Sequence, residues 1–213
     1  MEQSNKVKFI LTGFGKFNGV SDNPTTHLMK NITEYVNKER QQVDRLIDFE
    51  ILSNDIVEVS AVSSKRTVDT IESLYSDHQH PIYIIHFGVN ASAKCINLER
   101  CGWNDASFRV PDECGYCPNN EKIDLLNPEC VNIPTSLPID HLIEKLCTSH
   151  SVEPSTDPGR FVCNYIYYNS LMLSKKSSDK FKSLFVHVPP FTVVSMENQL
   201  KFVVDLLSLI SKL

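Results

Sequence analysis

Residues 7–40 read VKFILTGFGKFNGVSDNPTTHLMKNITEYVNKER, and how this stretch folds decides the class of the whole chain. VKFILT, at 7–12, is a short apolar run of strand character. A loop with Gly13, Gly15 and Gly19 follows, after which Asn23 supplies a capping side chain and Pro24 suits a first helical turn. The spacing predicts a helix through NPTTHLMKNITEYVNKER. Strand, glycine loop and helix together begin an α/β layering.

Glycine loops after a first strand often cradle phosphate, but this one fits neither nucleotide pattern. A dinucleotide fingerprint needs glycine where Asn18 stands, and the next glycine is Gly19. A phosphate loop needs Ser or Thr after its lysine, whereas Lys16 is followed by Phe17. Two uses of Phe14 and Phe17 stay open. Either they plug the core, the commoner fate of aromatics, or with exposed backbone amides they wall a small flat ligand.

Working outward, FEIL and VEVSAV offer one or two further strands, followed by a serine-capped helix around SSKRTVDTIESLY and a buried strand PIYIIHFGV. CINLER is strand-like. From about residue 100 to residue 138 the texture changes to Cys, Gly, Asn, Asp and Pro, a length that marks a functional or ordered excursion. A helix is expected at 139–148, then a turn at STDPGR, a helix through FVCNYIYYNSLMLSKK entered from a strand or loop, and a strand SLFVHVPP stopped by two prolines. The last segment has Ser195 as a cap and Met196, Leu200, Val203, Val204, Leu207 and Ile210 on one helical face, which should dock on the sheet. No internal repeat, low-complexity tract or linker interrupts the chain, and residues 1–213 read as a single domain.

The 213 residues, 41% of them hydrophobic, suffice for one sizeable core. A net charge of -5 and a pI near 5.8 argue against nucleic acid or an anionic membrane as partner. No stretch approaches ~20 apolar residues, and MEQSNKVKF lacks the features of a secretory signal. A cytoplasmic location is expected. Ser211-Lys212-Leu213 also spells a peroxisomal address, a motif short enough to recur by accident. Seven cysteines, an odd number, fit reduced thiols better than a disulfide framework. Cys114 and Cys117 form a single C-x-x-C without a second pair at zinc-ribbon spacing, and Pro118-Asn119-Asn120 follows where a redox dithiol would start a helix.

Three residue types suited to acyl transfer stand out. Cys163 directly follows a turn and begins a segment of helical spacing, where the positive end of the helix dipole favours a nucleophilic thiolate; a buried inert cysteine is the plainer reading. His187 lies near the carboxyl end of a strand, the edge where open α/β sheets place their sites. His86 in YIIHFG is similarly placed, and position alone does not choose between the two as general base. Glu99 could orient the imidazole, or be a solvated acid with a nearby base.

Taken together, LTGFGKF, LERCGWNDASFRVPD, DPGRFVCNYIYYNSL and FVHVPP resemble the pyroglutamyl-peptidase I family, the pyrrolidone-carboxylate peptidases, which are cysteine peptidases. The likeness runs in order from residue 7 to at least residue 190, and the excursion with its C-x-x-C looks like that of animal members. The resemblance implies a three-layer α/β/α sandwich with a twisted central sheet and a triad of Glu99, Cys163 and His187. It implies hydrolysis of the N-terminal pyroglutamyl residue of peptides through a thioester acyl-enzyme, with no metal or organic cofactor and pyroglutamyl peptides as the partner. Phe14 and Phe17 become walls of the lactam pocket, joined by Val110, Phe161 and Val162, while Val89 offers main-chain hydrogen bonds. Arg109 and the Cys163 backbone N–H form the oxyanion site. Lys16 departs from a common proline and Asn18 from a frequent glycine. An inactive relative that binds pyroglutamyl peptides is the alternative, and oligomeric state is not legible.

Overall fold

The structure, a computed structural model, describes residues 6–17, 19–20, 22–41 and 47–213. Asn18 and the first five residues of MEQSNKVKF lie outside the described residues. The elements in chain order are β1 (Val7–Phe14), α1 (Pro24–Arg40), β2 (Phe49–Val57), α2 (Ala61–Tyr75), β3 (Ile82–Val89), β4 (Ile96–Glu99), β5 (Cys101–Trp103), β6 (Asn132–Pro134), α3 (Ile139–Leu146), β7 (Val152–Ser155), α4 (Val162–Lys176), β8 (Phe181–Val188) and α5 (Met196–Ile210).

Six strands form one sheet in the order β2-β1-β3-β8-β4-β7, and β5 pairs with β6 in a small separate ribbon. β2, β1, β3 and β8 run parallel, whereas β4 lies antiparallel to β8 and carries β7 parallel to itself. Successive strand residues point to opposite faces. On one face Phe9, Leu11, Ile85, Phe87, Leu184 and Val186 pack with residues of α1, α3 and α5. On the other, Ile10, Phe14, Ile84 and Phe185 pack with residues of α2 and α4. The result is the expected α/β/α layering, and the interior strands are apolar on both faces because helices cover both.

The local signals hold where they were strongest. Asn23 caps α1 by accepting from Thr25 N, with Pro24 in its first turn, and Ser195 caps α5 by accepting from Asn198 N. VEVSAV is corrected: pairing ends at Val57, and Ser60 caps a helix that starts at Ala61. β7 has no counterpart among the expected strands. Its Pro154 lowers any strand reading, and an edge strand is where proline is tolerated.

Gly13 is explained by close packing. A Cβ there would lie 2.6 Å from Thr25 O and 2.8 Å from Met29 Cγ, so the glycine lets α1 settle against the end of β1. Phe14 N donates to Thr25 Oγ1 (2.8 Å), Thr26 Oγ1 donates to Phe14 O (2.7 Å), and Asn23 Nδ2 donates to Gly15 O (2.9 Å), pinning the loop to the helix start. Gly13→Ala should therefore lower the stability by about 1–3 kcal/mol, the usual cost of overpacking. Chemical denaturation measures it, and an unchanged midpoint would refute this account of the glycine.

Candidate active site

Cys163 is the second residue of α4, directly beyond the turn in which Gly159 takes φ 78°. Phe161 is the N-cap and offers no side-chain acceptor, so no side chain caps the first-turn amides, which lie beside the nucleophile. Asn164, the next residue, is fully buried. Its Oδ1 accepts from Trp103 N (2.7 Å), and its Nδ2 donates to Trp103 O and Asp105 O (2.9 Å each), tying the start of α4 to the chain just after Glu99.

His187 sits on the α4 face of β8 near its carboxyl end, beside Gly88 of β3 in the register. Because β4 is antiparallel to β8, Asn97 stands opposite His187 and Glu99 opposite Phe185, which makes Glu99 the diagonal neighbour of the imidazole on the same face. The Nδ1 of His187 and Glu99 Oε1 are 2.7 Å apart, which leaves Nε2 for the Cys163 thiol, the other side chain that acts on the charge of the ring. His187 is 7% exposed and Glu99 1%.

Burial opposes the charged imidazole, yet the hydrogen bonds and charges of Cys163 and Glu99 outweigh it and push the His187 pKa up to about 9. The ring is therefore a cation at neutral pH. Glu99 Oε2 is buried without a hydrogen-bond partner, so the carboxylate depends on that cation for compensation. Tyr167 OH donates to Glu99 O (2.8 Å) and fixes the backbone beneath it.

His86 meets the other fate. Its Nδ1 contacts Thr12 Oγ1 (2.7 Å) and its Nε2 contacts Ser170 Oγ (3.0 Å), both buried, and desolvation lowers its pKa to about 3. It is a satisfied neutral histidine within the fold. The geometry, not the position along a strand, separates the two rings.

Aromatic rings gather near the start of α4. Phe17 is half-buried with its ring centroid 5.0 Å from that of Phe161, which is 4.7 Å from Phe108. Phe14 is 4% exposed, within the core cluster of the α4 face. Val162 is 0% exposed, with its side chain in the core cluster of the α4 face. Val89 is half-buried at the end of β3, while Arg109 and Val110 are exposed, and Arg109 makes no hydrogen bond or ion pair among the described residues. Phe108 and Gly88 were missed, although Phe108 lies inside LERCGWNDASFRVPD. A Cβ on Gly88 would lie 2.9 Å from Cys163 Sγ and 2.7 Å from Phe185 Cζ, so its absence leaves the space the thiol occupies.

A cleft of about 980 Å³ between α2, α4 and the excursion around Asp124–Cys130 has none of Glu99, Cys163 and His187 in its lining. Cys114 and Cys117 turn their thiols to separate partners, Glu58 Oε2 (3.5 Å) and Phe108 O (3.3 Å).

The sequence model of pyroglutamyl peptidases matches residues 7–203. The chain belongs to the pyroglutamyl peptidase family. It is 28% identical over 193 residues to pyroglutamyl-peptidase 1 of Homo sapiens, covering 89% of this chain and 82% of that protein. It is 31% identical over 188 residues to the pyrrolidone-carboxylate peptidase of Thermococcus litoralis, covering 85% of this chain and 76% of that one. The solved structure of the Thermococcus litoralis pyrrolidone carboxyl peptidase superposes with a TM-score of 0.78 at 24% identity, over 97% of this chain and 93% of that chain, and so shows the shared fold.

A histidine titration followed by NMR tests the electrostatics of this pyroglutamyl peptidase site. His187 should titrate near pH 9, and His86 should stay neutral through the physiological range, its pKa being about 3. Glu99→Gln removes a negative charge that favours the imidazolium, so the His187 midpoint must move down. A midpoint that stays or rises would rule out the Glu99 contact as a source of the shift.

Proposed function

We propose that this pyroglutamyl peptidase removes the N-terminal pyroglutamyl residue of peptides, with Cys163 as nucleophile, His187 as proton carrier and Glu99 as its orienting acid. The observation that carries this reading is the buried His187–Glu99 pair with Cys163 acting on the same ring, on a chain of this family.

A pyroglutamyl residue has no free amino group, so carboxylates that anchor an ammonium gain nothing from it. A half-buried aromatic mouth formed by Phe17 and Phe161, with Phe14 behind it, suits a flat neutral lactam, while backbone groups near Val89 can pair its N–H and C=O. The exposed Val110 would close the rim.

With His187 cationic, the sulfur beside it is the natural nucleophile. The sulfur attacks the carbonyl carbon of the pyroglutamyl residue, and the oxyanion is received by the Cys163 N–H in the uncapped first turn of α4 and by the free guanidinium of Arg109. As the C–N bond breaks, His187 gives its proton to the leaving amine, and a thioester remains on Cys163. Neutral His187 then takes a proton from water, the hydroxide attacks the thioester, and pyroglutamate leaves as the thiol is restored. Glu99 holds Nδ1 and stabilises the cation at each stage.

A chromogenic pyroglutamyl amide, run beside the matching prolyl and glutamyl amides, checks the reading. Only the first should be cleaved, alkylation should abolish cleavage, and Cys163→Ala or His187→Ala should be inactive while folded. Cleavage that survives loss of Cys163 overturns the mechanism, and a folded wild type that binds but never cleaves the amide marks an inactive binder. Arg109→Ala should lower kcat by ~10²–10³, the usual loss for one oxyanion donor; an unchanged kcat would remove Arg109 from the oxyanion site.

A further inference from the structure

A line of polar side chains lies one layer beneath the site and has no part in the chemistry above. Thr12 on β1, His86 on β3, Ser170 on α4 and Ser183 on β8 are each no more than 1% exposed. The contacts are Thr12 Oγ1 to His86 Nδ1 at 2.7 Å, His86 Nε2 to Ser170 Oγ at 3.0 Å, and Ser170 Oγ to Ser183 Oγ at 2.5 Å. Ser170 Oγ also lies 3.0 Å from Tyr167 O.

One proton arrangement satisfies every one of these contacts. Thr12 donates to Nδ1, the Nε2–H donates to Ser170, Ser183 donates to Ser170, and Ser170 donates to Tyr167 O. The arrangement requires a neutral ring, and a protonated one would lose the bond Thr12 gives. The low pKa of His86 agrees with it.

Three of the four share a face with a residue of the site. On α4, Ser170 follows Cys163 by seven residues, two helical turns. On β8, Ser183 precedes His187 by four residues, and on β3, His86 precedes Gly88 by two, both even spacings that keep side chains on one face. Phe185 fills the layer between, with its ring centroid 6.3 Å from His86, 5.8 Å from Tyr167 and 4.7 Å from His187. Apolar packing alone would hold α4 on the sheet without selecting its depth or axial position. Hydrogen bonds are directional and do select it.

We propose that the buried chain Thr12–His86–Ser170–Ser183 positions the helix that bears Cys163 against the strand that bears His187, and so sets the reach between sulfur and imidazole. This rests on the reading of Cys163 as nucleophile and His187 as its proton carrier. All four are positioning residues, remote from the substrate.

The test uses Ser170→Ala, Ser183→Ala, their double variant and Thr12→Val, which removes a hydroxyl at constant shape. Two rates are read: turnover of a chromogenic pyroglutamyl amide, and alkylation of Cys163 by iodoacetamide. Small displacements of reacting groups are costly, so each single variant should lose ~10-fold or more in kcat with KM within ~2-fold, and alkylation should slow with it. Ser170→Ala already breaks the one link that Ser183→Ala removes, so the double variant should fall no further than the worse single. Folded variants with wild-type kcat and alkylation rate and only a lower unfolding midpoint would overturn the proposal, as would losses that multiply. If Ser170→Ala does not fold, Ser183→Ala and Thr12→Val carry the same decision. A wild type inert toward the amide would instead sink the peptidase reading, and the alkylation rates alone would then decide the positioning role.

Discussion

A buried imidazolium held between a sulfur and a carboxylate is the interaction on which the rest of this site depends. Removing the charged ring from water works against it, and Cys163 together with Glu99, 2.7 Å from Nδ1, reverses that cost. Glu99 is itself buried with one oxygen unpartnered, so neither charge is tolerable without the other. The pair is consequently a constraint on the fold as well as a device for chemistry, because β4, β8 and the start of α4 must all meet at one point.

The sheet meets that demand through a single reversal of direction. Four strands run parallel and would leave their carboxyl ends in a row, but β4 enters antiparallel beside β8. That reversal brings the end of β4 diagonally across from His187, and the chain then turns into β5, where Asn164 clasps it to the first turn of α4. Glu99, His187 and Cys163 thus come from two strands and a helix locked to one another by backbone pairing and one buried amide.

Glycine does different work at two places near the site. Gly13 allows α1 to approach the end of β1, and Gly88 leaves room for the sulfur. Neither needs a positive φ, and neither belongs to a phosphate cradle. The loop of Gly13, Gly15 and Gly19 is tethered to its own helix through Thr25, Thr26 and Asn23, which holds Phe14 in the core and leaves Phe17 half-buried.

By itself the sequence determined the α/β alternation, the caps at Asn23 and Ser195, the buried character of β3, and, through four motifs in order, the family. Those features are local, written in periodicity, capping residues and short runs that need no distant partner to be read. Tertiary structure alone decided which of two similarly placed histidines faces the thiol, since His86 and His187 differ only in what other elements bring to them. It also decided the direction of β4, the edge strand containing Pro154, and the inward burial of Val162. Strand pairing and helix docking join residues scores of positions apart, and no local pattern records which neighbour a strand or a helix face will find.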